Sequence, residues 1–265
     1  MRFCSLFSGS SGNCLFAEDD DTKILIDAGV SGRRIETALS AIGVSCASVA
    51  GILITHEHQD HVSGAGILSR RYGIPVYANA LTWQAIDEMK LMGKLPAENK
   101  RVIATGDPFS IGTFSVEAYP IPHDAADPIA YTVSADGHKI AVATDIGYVT
   151  ETVKENLFGS ELVLIEANHD INMLNAGRYP YPLKRRILGD HGHLSNEAAA
   201  SLICELAERG TRKFILGHLS GENNYPRLAY ETASMDLKLK KGLICGQDVY
   251  LTVAFRDRAS EVVEL

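Results

Sequence analysis

The stretch ITHEHQDH (Ile54–His61) places three imidazoles, His56, His58 and His61, and two carboxylates, Glu57 and Asp60, within six residues. Such a cluster is poor core material. It follows directly on the apolar run GILI at 51–54, which has the character of a buried strand. Chemistry in α/β proteins collects at the ends of buried strands. Imidazole suits zinc and other transition metals, and carboxylates extend the set toward manganese or iron. His56 and His58, flanking Glu57, can grip one cation from an extended segment. Asp60 and His61, entering the next helix, can grip a second.

One segment cannot complete two coordination shells, so later strand ends should contribute. His123 follows VEAYPIP, Asp145 follows KIAVAT and His218 follows KFILG, each just beyond an apolar run. An aspartate so placed has one oxygen for each of two cations. Asp27 closes the run KILID, either as a turn residue ahead of Gly29 or as an acceptor that orients the histidine loop.

Around this centre the chain alternates short apolar segments with helical periodicity. Strands are expected near 23–27, 51–55, 74–78, 114–120, 129–134, 139–144 and 161–166. Helices are expected near 31–42, 61–72, 81–92, 149–158, 196–209 and 226–237. Asp136-Gly137 between two apolar runs predicts a hairpin. The pattern is α/β with mixed sheets covered by helices. With 265 residues and 46% hydrophobic content the chain can fill a sizeable core. Its net charge of −8 argues against a general nucleic-acid coat protein but not against a nuclease, because bound cations invert the local sign. Five scattered cysteines without a CxxC pair predict reduced thiols, and no apolar run approaches the ~18 residues of a membrane span. The expected compartment is the cytoplasm, with no membrane partner.

The order of HxHxDH with Asp27 before it and His123, Asp145 and His218 after it resembles the metallo-β-lactamase superfamily. The resemblance implies an αβ/βα sandwich with metals at one edge. It implies His56, His58 and His123 on one cation, Asp60, His61 and His218 on the other, and Asp145 bridging. SGSSGNC at 8–14, PHDAADP at 122–128, EANHDINML at 166–174, GRYPYPLKRRIL at 177–188, GHLSNEAA at 192–199 and LSGENN at 219–224 resemble its YycJ/WalJ-like branch, related to tRNase Z and RNase J-type nucleases. This likeness covers about residues 3 to 235. It implies a DNA 5′-exonuclease with two Zn²⁺ or Mn²⁺ ions and a proposed role in mismatch repair. Only 72 residues separate Asp145 from His218, too few for a β-CASP insertion, so one domain over 1–265 is expected.

The residues point to a phosphodiester independently. His193 precedes a helix expected to start near Asn196, with Ser195 or Asn196 as its cap, and helix N-termini attract anions. His193 is the expected general acid or oxyanion donor, unless it merely packs in a capping loop. Asp60 or Asp145 would orient the attacking water. The segment around Arg178, Tyr179, Tyr181, Lys184, Arg185 and Arg186 interleaves aromatics with cations, as a nucleic-acid contact does, or is a solvated loop and helix start. Glu166 and His169 are further pocket candidates. SGSSGNC lacks the lysine of a nucleotide-binding loop and should be a hairpin of small residues beside the metal edge. Arg33-Arg34 and Arg70-Arg71 should lie on exposed helix faces, and His138 at the surface. DNA is preferred over RNA as the partner. A small-molecule phosphodiesterase or ester hydrolase of the same fold is the alternative, and a catalytically vestigial regulatory protein is a third reading.

Overall fold

Alternating apolar residues in the central strands require cover on both faces, and two sheets with helices outside supply it. The computed structural model describes residues 1–265. In chain order the first half contains β1 (Arg2–Phe7), β2 (Cys14–Asp19), β3 (Thr22–Ile26), α1 (Gly32–Ala41), β4 (Gly51–Leu53), α2 (Gln59–Val62), α3 (Ala65–Tyr72), β5 (Val76–Asn79), α4 (Ala80–Glu88) and β6 (Lys100–Ile103). The second half contains β7 (Phe109–Ile111), β8 (Phe114–Pro120), β9 (Ile129–Ala135), β10 (His138–Ala143), α5 (Glu151–Leu157), β11 (Leu162–Glu166), α6 (Ile171–Ala176), α7 (Tyr181–Leu188), α8 (Asn196–Glu208), β12 (Lys213–Gly217), α9 (Pro226–Asp236), β13 (Tyr250–Val253) and β14 (Val263–Glu264).

One sheet runs β14-β1-β2-β3-β4-β5-β6 and the other β13-β12-β11-β10-β9-β8-β7. Period-2 side-chain direction builds three core layers. Ile24 and Ile26 of β3 meet Ile140, Val142, Leu162 and Leu164 between the sheets. Leu25 faces outward to Ile35 and Leu39 of α1, Leu68 of α3 and Trp83 of α4. Ala141, Val163 and Ile165 face α5, α8 and α9 on the other side. This is the αβ/βα sandwich expected from the sequence. No helix is long and apolar enough to cross a membrane.

The sheets are mixed. β3 to β6 pair in parallel, as do β10 to β13, whereas β8, β9 and β10 are antiparallel. β8 therefore points the same way as β10. The C-terminal ends of β3, β4, β8, β10, β11 and β12 all reach one rim of the sandwich. Asp136 and Gly137 make the two-residue turn between β9 and β10, both at positive φ, 46° and 82°. That hairpin was legible in the sequence.

Two local expectations need correction. The helix expected at 61–72 is broken into α2 and α3 at Ser63-Gly64. Gly64 donates its N–H to Ala28 O at 2.7 Å, and a Cβ there would lie 2.2 Å from Val30 O. The segment 177–186 is a loop followed by the start of a helix, as the sequence allowed: α7 occupies Tyr181–Leu188, entered through Pro180. The N-terminal hairpin β1–β2, the edge strands β6, β7 and β14, and β13 also lie outside the expected set. Loop 8–13 does join β1 to β2 as a hairpin of small residues.

Candidate metal centre

Three site residues sit in the left-handed backbone region at strand ends: Asp27 (φ 60°) after β3, Asp145 (φ 59°) after β10 and His218 (φ 54°) after β12. Each such conformation costs about 1–3 kcal/mol in a non-glycine residue and needs a surrounding that over-determines it. That surrounding is present. Asp27 N–H donates to Leu53 O at 2.7 Å, and His218 N–H donates to Ser8 Oγ at 2.8 Å. The loop carrying Asp60 and His61 is stitched to the β1–β2 loop by Asn13 N–H to Asp60 O and to the loop after β3 by Ala28 N–H to His61 O, both 2.8 Å. Gly29 permits the approach, because a Cβ on it would meet Asp60 O at 1.5 Å.

The histidine rings are held by one nitrogen and present the other. His56 Nδ1 lies 3.0 Å from Thr55 Oγ1, which in turn donates to the Asp27 carboxylate at 3.0 Å. His61 Nδ1 donates to Asp27 Oδ2 at 2.7 Å. His123 Nδ1 lies 3.2 Å from Gly192 O, and His218 Nδ1 is 2.7 Å from Glu166 Oε1. A carboxylate or carbonyl at Nδ1 fixes the tautomer that leaves Nε2 as a ligand atom. Asp27 is thus the orienting acceptor, for His61 directly and for His56 through Thr55.

The other ends of these residues converge. Nε2 of His56, His123 and His218 and Oδ2 of Asp145 are buried without any hydrogen-bond partner. An orphaned buried polar group costs on the order of 1–3 kcal/mol, so four facing one another need a common ligand. Ligand atoms of His56, His58 and His123 lie within 4.8 Å of one another, as do those of Asp60, His61 and His218. Asp145 sits between the sets, 3.3 Å from His61 Nε2 and 3.8 Å from His123 Nε2. Nitrogen and carboxylate donors in this number fit divalent transition metals.

The profile of the β-lactamase superfamily domain matches residues 22–219, which contain every one of these residues. The chain belongs to the β-lactamase superfamily. Among its relatives, exodeoxyribonuclease YycJ of Bacillus anthracis is 40% identical over 247 residues, 93% of this chain and 92% of YycJ. Exodeoxyribonuclease WalJ of Streptococcus pneumoniae is 41% identical over 232 residues, 88% of this chain and 86% of WalJ. Among solved structures, Zn²⁺-bound PqqB from Methylobacterium extorquens superposes with a TM-score of 0.71 at 18% identity, over 98% of this chain and 100% of PqqB. That likeness is one of fold, the metallo-β-lactamase sandwich.

Within this β-lactamase superfamily site, Glu166 at the end of β11 is the hub. It is fully buried, its Oε1 takes both His218 Nδ1 at 2.7 Å and His193 Nδ1 at 2.8 Å, and its Oε2 accepts from Ile146 N at 2.9 Å and Leu194 N at 3.2 Å. Burial alone would raise its carboxyl, but His193 and His218 outweigh that and hold it well below the usual range. Burial would lower His193, yet the Glu166 carboxylate raises it. His193 is outside the His56–His58–His123 and Asp60–His61–His218 groups; it converges with Asp145, Glu166 and His218 through Nδ1, 2.8 Å from Glu166 and 3.7 Å from Asp145. His61 is drawn up to about 9: burial opposes its charge, and Asp27, Asp145 and Asp60 prevail. The same carboxylates that favour protons on His61 favour a cation at its Nε2.

Of the other expected residues, His169 is buried with both ring nitrogens unpartnered, and it joins no group of converging ligands. Burial pushes its pKa down to about 4. Ser195 caps α8, its Oγ accepting from Ala198 N at 3.2 Å. Asn196 opens α8 behind this cap, and its amide is buried in a reciprocal pair with Asn224, at 3.1 and 2.8 Å. Arg186 is not a free cation, because Asp124 holds it through Nε at 2.5 Å and Nη2 at 3.0 Å. Lys184 Nζ donates to Asn175 O at 2.7 Å, while Tyr181 is exposed beside it on α7. Arg178 and Arg185 are exposed. His138 sits in the surface hairpin against Glu161 at 2.8 Å.

Sequence reasoning missed Asp124, whose Oδ1 is 3.4 Å from His123 Nε2, and Thr55. The acidic neighbour of a ligand histidine was the available signal for Asp124. Glu57 is not directed at the trio: its Oε1 accepts from Ala126 N at 2.9 Å and ties down the loop that carries His123.

Proposed function

We propose that this chain is a metal-dependent exodeoxyribonuclease that removes nucleotides from the 5′ end of DNA. The observation that carries the reading is His193, whose Nδ1 is held by Glu166 beside Asp145 and His218, apart from the His56–His58–His123 and Asp60–His61–His218 groups. The exodeoxyribonuclease names of YycJ and WalJ, similar over nearly the whole chain, support the choice of DNA. His56, His58 and His123 would hold one cation and Asp60, His61 and His218 the second, with Asp145 between them; Zn²⁺ and Mn²⁺ both suit these donors. When bound, two divalent cations supply Lewis acidity toward a phosphoryl oxygen and acidify water.

The protein's own groups divide the remaining work. Asp60, half-buried, and Asp145 orient the attacking water. His193, whose protonated form the Glu166 carboxylate favours against burial, would offer Nε2–H to the oxygen that departs from phosphorus. Glu166 fixes the direction of that ring and of His218 together. The exposed cations Arg178 and Arg185 and the half-buried Lys184, on and before α7, would follow the DNA backbone, with Tyr181 available for stacking. Residues 1–265 form one catalytic domain in this reading, without an inserted second domain. Five free cysteines, four of them buried, suit a reducing cytoplasm.

The direct test is a panel of end-labelled single- and double-stranded DNA and RNA with metal-loaded protein. Mononucleotides released first from the 5′ label of DNA are expected. Cleavage of small phosphodiesters or esters with no attack on any polynucleotide would replace the reading with a small-molecule hydrolase.

A further inference from the structure

A cavity of about 400 Å³ opens beside His193, between α8 and the loop that follows Asp145. Its size lies within the ~300–1,000 Å³ of small-ligand sites. His193 and His169 form one wall, Ile171 and Leu188 are apolar sides, and Tyr148, about half exposed, belongs to the same lining.

Its polar content is unusual. His169 is 1% exposed, and neither ring nitrogen has a partner. Its backbone is fixed, since Asn196 N donates to His169 O at 2.9 Å and His169 bridges Ser195. A neutral imidazole so held offers one donor and one acceptor. Leaving both unused costs on the order of 1–3 kcal/mol, which a ligand edge would recover. The other charged groups that line the cavity are paired, Lys154 Nζ lying 2.9 Å from Glu205. Apart from His193 at its mouth, an anion would find no spare cation here. A flat heteroaromatic with a donor and an acceptor on its edge would find apolar walls, a phenol ring and His169.

Resting on the nuclease reading above, we infer that this cavity receives the terminal nucleobase of the DNA strand, stacked on Tyr148 with its edge read by His169. The location follows from the chemistry of the cut. When water adds to the phosphorus joining the first and second nucleotides, the P–O3′ bond breaks and the terminal nucleotide carries away the oxygen, protonated by His193. The nucleoside on the leaving side must therefore lie next to His193, where the cavity is. An apolar pocket with neutral polar atoms makes removal of one base-bearing nucleotide at a time favourable over internal cutting.

The test compares metal-loaded wild type on 5′-phosphorylated single-stranded DNA whose first residue carries either thymine or no base (a tetrahydrofuran abasic analogue). Base stacking of ~1–3 kcal/mol corresponds to about 5–150-fold in kcat/KM in favour of the thymine terminus. Tyr148→Ala and His169→Phe, the latter keeping the ring and removing its polar atoms, should each shrink that ratio toward one by slowing the thymine terminus. Equal rates on the two termini in wild type would overturn the pocket while leaving the nuclease reading intact, as would variants that slow both termini in proportion. Absence of release from either terminus would overturn the nuclease reading itself, and the pocket with it.

Discussion

His193 and His218 both direct Nδ1 to one carboxylate oxygen, Glu166 Oε1, yet only His218 sends its Nε2 into the buried cluster of orphaned atoms. The two rings should therefore fail differently. His193→Ala is expected to keep its metal and most of its stability and to lose about 10²–10³-fold in phosphodiesterase rate, as removal of a general acid or oxyanion donor does. His58→Ala, from the first trio, should lose metal and activity together; elemental analysis beside a rate assay distinguishes them. If His193→Ala loses metal as His58→Ala does, His193 is a ligand and the assignment fails. Glu166→Gln should reduce activity like His193→Ala and also weaken metal retention, because an uncharged amide holds the two imidazoles less strongly and its NH2 would face the Ile146 and Leu194 N–H donors. The histidines that converge here were legible in the sequence because they cluster or follow apolar runs. The role of Glu166 was not, since its two partners lie 27 and 52 residues away and only the fold joins them.

Strand ends and the loops between them set the precision of the centre. The loop Asp27–Gly29 and the α2 entry at Asp60–His61 touch backbone to backbone, with Gly29 at the contact. Gly29→Ala should push the Asp60 carbonyl away and lower metal affinity by an order of magnitude or more, a shift readable by competition with a chromogenic chelator. Unchanged affinity would mean that the loop yields without moving Asp60. On α7, Arg186 is engaged by Asp124, which leaves Lys184 and Arg185 as the cations to neutralise. The double change to glutamine should weaken duplex DNA binding and reduce its salt slope by about 0.9 per lost phosphate contact; an unaltered slope would make α7 a surface helix only. Central strands such as β10 and β11 were legible because their apolar runs are unbroken. The edge strand β6 carries Lys100 and Arg101, and β14 is two residues long. Such edges have one partner and carry little apolar pattern, so only tertiary pairing defines them.

At the scale of the molecule, two sheets share one inter-sheet core and direct six strand ends to one rim, where buried carboxylates face buried imidazoles. Two consequences follow for the metal-stripped protein. Its melting temperature should fall, because a ligand that binds only the folded state at ~1,000 times its dissociation constant adds about 4 kcal/mol. It should also lose stability on the alkaline side. His61 titrates near 6.5 when unfolded and at about 9 in the fold, so its contribution is fully present below 6.5 and is lost as pH rises through about 9. Melting of chelator-treated protein at pH 6.5 and 9.5 reads this, and a flat profile would show that the carboxylates around His61 do not hold its proton. The architecture itself was legible in composition and motif order, whereas the cavity beside His193 was not, because its walls come from α5, α6, α7 and α8 together. The proposed dinuclear nuclease centre is tested most directly by titrating stripped protein with Mn²⁺ or Zn²⁺ while measuring bound metal and nucleotide release from 5′-labelled DNA in the same samples. Release that rises to a plateau at two metals per chain is expected. A plateau at one metal, or full activity without any, would contradict it.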